Sequence, residues 1–139
     1  MAAGQERVLL MDDEPGIRDA VGEMLECLGF EVVVCRDGRA AIECYKLAQV
    51  AGSPFDAVLM DLTIVGGMGG KETIRHLLEL DPAIKAVASS GYSDDPVMAH
   101  HHNYGFRAVL TKPYTLKELE TTLRGVIVGI QGVDSETKR

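Results

Sequence analysis

Short apolar runs alternate along the chain with longer segments in which apolar residues recur every three to four positions. A short run of aliphatic and β-branched residues between turn signals is typical of a buried strand. Each run therefore predicts a β-strand. The five predicted strands are Arg7–Met11, Glu31–Cys35, Phe55–Met60, Ile84–Ser89 and Phe106–Leu110.

The segment after each strand predicts a helix, because its apolar residues recur at helical spacing. Residues typical of helix ends mark the boundaries. We expect Gly29 to follow the first helix, Asp37 to open the second and Ser93 to cap the fourth. Thr115 and Glu118 have the spacing of a capping box, which predicts the start of the last helix.

Regular alternation of strands and helices indicates an α/β fold. Five such units predict a doubly wound, five-stranded parallel sheet with helices on both faces. Residues 1–131 are expected to form this one domain, and residues 132–139 are expected to be a polar tail or linker.

Composition narrows the classes of function. The chain has 139 residues, 46% of them hydrophobic, so it can bury one aliphatic core. Its formal net charge of -7 argues against a nucleic-acid-binding surface and against binding to an anionic membrane.

The chain also lacks signs of export or membrane insertion. No apolar run approaches the roughly 20 residues that span a bilayer, and the N-terminus has no signal-peptide pattern. Cys27, Cys35 and Cys44 have no CxxC spacing and are expected to be reduced thiols. We therefore expect a cytoplasmic protein.

Carboxylates follow two of the predicted strands. Asp12 and Asp13 come after the first strand, and Asp61 comes after the third. Ligands of a doubly wound sheet bind beyond the carboxyl ends of the strands, where the strand order reverses. If these two strands are neighbours, the three acids converge, and the cluster suits Mg²⁺. Taken one at a time, each acid is better explained as a helix cap or a solvated loop residue.

Two other predicted strands end in groups that bind phosphoryl oxygens. Ser89 and Ser90 come at the end of the fourth strand, and Lys112 follows the fifth. A hydroxyl and an ammonium at the same edge as the acids predict a site that transfers a phosphoryl group onto a carboxylate.

Five motifs together resemble the receiver domains of two-component response regulators. They are "MDDE", "VLMDL", "GGMGG", "SSGY" and "TKPY", and the resemblance extends from about Arg7 to Ile130. It implies a flavodoxin-like strand order of 2-1-3-4-5. The chain looks most like the C-terminal receiver of a hybrid sensor histidine kinase.

The resemblance also implies roles for individual residues. Asp61 would be the phosphoacceptor and, with Asp13, a direct Mg²⁺ ligand, whereas Asp12 would bind Mg²⁺ through water. The backbone carbonyl of Thr63 would complete the protein ligands. Lys112 would assist the chemistry, and its bond to Pro113 would be cis.

The switch residues depart from the family pattern. Ser90 is the expected switch hydroxyl because Gly91 follows it, and Ser89 fits this role less well. The position that is often aromatic and rotates on activation is Val109 here. We therefore expect the switch to act through Ser90 and its loop, together with Tyr92.

Three functions remain open on the sequence. The first is a receiver that takes a phosphoryl group from a histidine kinase or a histidine phosphotransfer domain, without turnover beyond its own phosphorylation and dephosphorylation. The second is a pseudo-receiver that acts only as an interaction module. The third, an aspartyl-phosphate hydrolase, would require a second acid where Thr63 stands. A homodimer and a longer parent hybrid kinase are both compatible with the resemblance.

Overall fold

The computed structural model describes residues 5–92 and 94–129. Within these ranges the chain forms five strands and six helices. The strands are β1 (Arg7–Met11), β2 (Glu31–Cys35), β3 (Ala57–Asp61), β4 (Ala86–Ser90) and β5 (Ala108–Thr111). The helices are α1 (Pro15–Cys27), α2 (Gly38–Val50), α3 (Gly70–Leu80), α4 (Pro96–Ala99), α5 (His101–Tyr104) and α6 (Leu116–Val128).

All strands pair in parallel in the order β2-β1-β3-β4-β5, which confirms the predicted fold. The chain first extends the sheet in one direction, to β2, and then returns past β1 to extend it in the other. The order therefore reverses at the boundary between β1 and β3. Met11 pairs with Met60 there, so the residues that follow these two methionines lie side by side.

The predicted helix ends are largely confirmed. Gly29 follows α1 with a φ of 96°, a left-handed conformation that glycine adopts without steric cost. The Asp37 side chain accepts a hydrogen bond of 3.0 Å from the Ala40 N–H at the start of α2. Thr115 and Glu118 form both hydrogen bonds of a capping box at the start of α6.

The last three strands begin two residues later than predicted. Phe55, Ile84 and Phe106 precede the paired residues but are only 8%, 2% and 1% exposed, because they pack into one side of the core. Burial made them resemble strand residues in the sequence. The carboxyl ends of β3 and β4 are each one residue later than predicted, which places Asp61 and Ser90 inside their strands.

The helix predicted after β4 is two short helices, α4 and α5. His100 separates them, with backbone angles of -128° and 42° that are not helical. The side chain of Asp95 caps α4 by accepting a hydrogen bond of 2.9 Å from the Val97 N–H. Ser93, the expected cap, lies outside the described residues, as do the predicted domain boundary at 131 and the tail 132–139.

The sheet is buried on both faces, and this explains why its strands are nearly continuous apolar runs. Helices α2 and α3 cover one face, where the largest buried side chains include Leu9, Met60, Ile74 and Leu77. Helices α1 and α6 cover the other, over Leu25, Phe30, Leu59, Leu119 and Leu123. None of the helices in the described ranges is long and apolar enough to cross a bilayer.

Candidate functional site

Three carboxylates converge where β1 and β3 end. One oxygen from each of Asp12, Asp13 and Asp61 lies within 4.8 Å of the other two. Asp12 and Asp61 are 2% and 6% exposed, whereas Asp13 is half-buried at the edge of the cluster. The expected meeting of these acids is therefore observed.

The backbone N–H, the backbone carbonyl and both carboxylate oxygens of Asp12 all form hydrogen bonds. Its N–H donates to the Cys35 carbonyl of β2 at 3.1 Å. Its Oδ1 accepts from the Glu14 N–H at 3.0 Å, and its carbonyl accepts from Arg18 Nη1 at 2.8 Å. These bonds fix the loop between β1 and α1, and so they determine where the carboxylates of this loop can lie.

Asp13 connects the acids to the glycine-rich loop before α3. Its Oδ2 accepts a hydrogen bond of 3.1 Å from the Val65 N–H. This loop also packs closely on its own strand, because a Cβ at Gly69 would lie 2.6 Å from the Leu62 carbonyl oxygen. Only glycine can occupy that position without displacing backbone.

Lys112 reaches into the cluster from the end of β5. Its Nζ lies 2.8 Å from Asp12 Oδ2 and 3.2 Å from Asp61 Oδ2. Its backbone N–H donates to the Ser90 carbonyl at 2.9 Å, and its bond to Pro113 is cis, as expected. One ammonium group therefore bridges the two buried carboxylates and offsets part of their repulsion.

Burial and the charges of neighbouring groups have opposing effects on the pKa of Asp61 and on the pKa of Lys112. Burial raises the pKa of Asp61, and the nearby Lys112 charge and the hydrogen bond from the Thr63 N–H only partly counteract this rise. Burial acts to lower the pKa of Lys112, but the hydrogen bond from its ammonium to Asp12 and the charges of Asp61 and Asp12 outweigh it, so that this pKa is raised. Lys112 therefore remains a cation within the site.

Thr63 lies in the loop after β3, and Ser90 is the last residue of β4. The Thr63 N–H donates to Asp61 Oδ1 at 3.2 Å, and the role of its carbonyl as a metal ligand stays a prediction. Ser90 is 1% exposed, and its Oγ accepts a hydrogen bond of 2.9 Å from the Tyr92 N–H. Ser89 is also buried and pairs with Asp61 in the sheet.

The other predicted switch residues are Tyr92 and Val109. Tyr92 is 63% exposed. Val109 is half-buried in β5, where it pairs with Ala88 and lines a surface cavity of about 390 Å³ beside α6. Val109 also packs against the part of the core that α2 and α3 cover.

The chemistry of the cluster suits a hard divalent cation. Its donors are carboxylate oxygens, which Mg²⁺ and similar ions prefer. Within residues 5–92 and 94–129, no other group of three or more His, Cys, Asp or Glu side chains could hold a metal ion. The histidine run contributes none, since His100 and His102 point to solvent.

Sequence reasoning missed two residues near the site. Arg18 lies one turn into α1 and donates to the Asp12 carbonyl. The pKa of Tyr114 is raised by burial first and then by the charges of Asp12 and Asp61. Tyr114 belongs to the motif "TKPY", which was the available signal for it, whereas no feature of the sequence indicated the contact of Arg18.

Comparison with known proteins identifies relatives of this chain. It is 28% identical over 128 residues to the sensor kinase CckA of Brucella abortus, across 90% of this chain and 13% of CckA. It is 33% identical over 124 residues to the response regulator GacA of Pseudomonas aeruginosa, across 88% of this chain and 56% of GacA. The chain therefore spans little more than half of GacA and a small part of CckA.

A solved structure has the same fold. The receiver domain of sensor histidine kinase PA1611 from Pseudomonas aeruginosa, with a magnesium ion in its active-site cleft, gives a TM-score of 0.79 at 22% identity. The similarity covers 91% of this chain and all of that one. A family model, the response regulator receiver domain, matches residues 8–124. Since that match covers most of the chain, the protein belongs to the receiver domain family of two-component response regulators.

Proposed function

We propose that Asp61 accepts a phosphoryl group from a phosphohistidine on a histidine kinase or a histidine phosphotransfer domain. In this step the N–P bond of the donor breaks, an O–P bond forms to the Asp61 carboxylate, and the imidazole leaves and is then protonated by solvent. The observation that carries the proposal is the position of Asp61, buried at the end of β3 between Lys112 and two further acids.

The same proposal assigns the cation. Asp13, Asp61 and the Thr63 carbonyl would bind Mg²⁺ directly, and Asp12 would bind it through water. The ion, when bound, supplies positive charge that offsets the charge of the phosphoryl oxygens. The oxygen-only donor set and the convergence of three carboxylate oxygens within 4.8 Å of one another support this assignment.

Lys112 is proposed to exchange partners during the reaction. Its ammonium is bound to Asp12 and Asp61 and lies at the point where the phosphoryl group would arrive. A phosphoryl group adds roughly 1.5 to 2 negative charges and strong acceptor oxygens. The ammonium would then donate to these oxygens and hold the modified state.

Ser90 is proposed to be the switch. Its Oγ accepts from the Tyr92 N–H, and a hydroxyl that accepts can still donate its own hydrogen. Donation to a phosphoryl oxygen would move the loop after β4 inward. This contact exists only in the modified state, which is the condition for a shift in population. Tyr92 would move with the loop, whereas Val109 has no ring to rotate.

The chain is proposed to work as the receiver module of a cytoplasmic phosphorelay. Its similarity to part of the sensor kinase CckA supports a parent protein that is itself a hybrid kinase. The similarity to the response regulator GacA supports, less specifically, a separate donor kinase. In both cases the domain undergoes its own phosphorylation and dephosphorylation and has no other turnover.

The central variant is Asp61→Asn, which removes the nucleophile and keeps the size of the side chain. Incubation with acetyl phosphate and Mg²⁺ should add a base-labile, acid-stable phosphate to the wild type and none to the variant, as measured by intact mass. Asp19→Asn, a change on the exposed face of α1, is the matched control and should be labelled normally. Labelling of Asp61→Asn at the wild-type rate would disprove the assignment, and an unlabelled wild type would favour the pseudo-receiver.

A magnesium titration tests the metal assignment separately. Mg²⁺ should raise the melting temperature of the wild type in a saturable way, because it binds the folded state and relieves repulsion among the acids. Asp13→Ala should lose most of this response and can exceed the wild type in stability when no metal is present. Absence of a saturable response in the wild type would defeat the magnesium proposal.

A further inference from the structure

Arg18 makes a contact that the proposed phosphotransfer does not use. It lies in the first half of α1, and its Nη1 donates a hydrogen bond of 2.8 Å to the backbone carbonyl of Asp12. Its own backbone N–H continues the helix by donating to the Glu14 carbonyl at 2.9 Å. The side chain therefore folds back across the start of α1 onto the loop that carries the acids.

The carbonyl that Arg18 binds belongs to the peptide between Asp12 and Asp13. The orientation of this peptide determines the direction in which the Asp13 side chain leaves the backbone. Three other residues form hydrogen bonds with Asp12, namely Cys35, Glu14 and Lys112. Among the residues that the structure describes, the Asp13 side chain accepts one hydrogen bond, from the Val65 N–H. Its position therefore depends more strongly on the peptide that Arg18 fixes.

The Asp12 backbone that Arg18 binds is also hydrogen-bonded to the end of β2. Cys35 is the last residue of β2 and the partner of the Asp12 N–H. Arg18 of α1 therefore binds the carbonyl of Asp12, and Cys35 of β2 binds its N–H.

We propose that Arg18 is a positioning residue for the divalent cation. Arg18 holds the peptide after Asp12, so that Asp13 presents its carboxylate to the ion. This inference rests on the proposed magnesium site. The charge of Arg18 and its hydrogen bond have opposite effects on the ion. A cation near the site repels Mg²⁺, whereas a fixed peptide reduces the cost of arranging Asp13. The sign of the effect on affinity therefore distinguishes the two.

The test compares Mg²⁺ dissociation constants for wild type, Arg18→Met, Arg18→Lys and Arg75→Met, measured from amide NMR shifts. Arg18→Met keeps the apolar stem and loses both the charge and the donor. It should bind Mg²⁺ about tenfold more weakly, at the low end of the effect of residues that orient metal ligands. Arg18→Lys keeps a charged donor on a shorter side chain and should lose less. Arg75→Met removes an exposed arginine of α3 and should bind as wild type does.

Each outcome decides the inference. Weaker binding in the order wild type, Arg18→Lys, Arg18→Met supports positioning, with displaced amide signals at Asp13 and Val65 in the metal-free variants. Binding by Arg18→Met that equals or exceeds that of the wild type overturns it. A wild type without a saturable response would instead defeat the magnesium site itself, so the two failures are distinguishable. If Arg18→Met does not fold, Arg18→Lys alone must still bind more weakly than the wild type.

Discussion

Removal of the Lys112 ammonium should destabilise the metal-free protein strongly. Lys112→Met keeps most of the side-chain volume but leaves Asp12 and Asp61 facing each other without a counter-charge. The side chains of these acids are 3% and 7% exposed, and that of Lys112 is 18% exposed. Loss of one partner from a buried ion pair costs about 3 to 5 kcal/mol. The partial exposure of Lys112 favours the lower end, about 3 kcal/mol.

Thermal unfolding followed by circular dichroism measures this effect. For a chain of this length, about 3 kcal/mol corresponds to a decrease of about 10 °C in melting temperature. The decrease should appear in the presence of a chelator and should be less than half as large in saturating Mg²⁺, because the ion supplies charge to the same oxygens. Lys46→Met is the control, since Lys46 is exposed on α2, and its effect should stay within about 0.5 kcal/mol.

Two results would refute this reasoning. Equal melting temperatures of metal-free wild type and Lys112→Met would mean that the ammonium does not offset the repulsion between the acids. A decrease that is the same with and without Mg²⁺ would assign the loss to packing around the lysine stem and not to charge.

Two further perturbations test other parts of the molecule. Ser90→Ala should still accept a phosphoryl group. It should lose most of the amide NMR shifts that beryllofluoride with Mg²⁺ induces in the loop after β4 and in β5. Equal shifts in wild type and variant would contradict the switch role of Ser90. Tyr45→Phe removes a hydrogen bond of 2.7 Å to Asp81 and should cost about 1 to 2 kcal/mol, whereas Tyr92→Phe, on an exposed ring, should cost little. Burial and the bond to Asp81 raise the pKa of Tyr45, so the wild type should lose stability as the pH rises above about 10, the ordinary tyrosine value. Tyr45→Phe should lose less between about pH 8 and about pH 10.5 in urea denaturation, and an identical loss would show that this hydroxyl does not couple to folding.

The pattern of apolar residues determined the fold class and most helix ends, because the sheet is buried on both faces. It misplaced the starts of β3, β4 and β5, since Phe55, Ile84 and Phe106 are buried without being paired. Apolar character reports burial and does not distinguish a strand from the buried turn before it. The break at His100 had no signal in the sequence, which contains neither glycine nor proline there.

The site was predictable where it depends on strand ends. The carboxyl ends of parallel strands lie at the same end of the sheet. The positions of Asp12, Asp61, Ser90 and Lys112 therefore followed from the topology. The contact of Arg18 was not predictable, because it depends on a side chain folding back onto a carbonyl. Sequence spacing alone does not indicate which backbone group a long side chain reaches.

Transfer from a phosphohistidine donor tests the central proposal most directly. A purified, phosphorylated histidine phosphotransfer domain is mixed with this chain, with Mg²⁺ or with a chelator, and the phosphoryl group is located by intact mass and peptide mapping. We expect the donor to lose its phosphoryl group and the peptide that contains Asp61 to gain a base-labile one, only with Mg²⁺ and not in Asp61→Asn. Transfer to another residue, or equal transfer to Asp61→Asn, would contradict the role of Asp61.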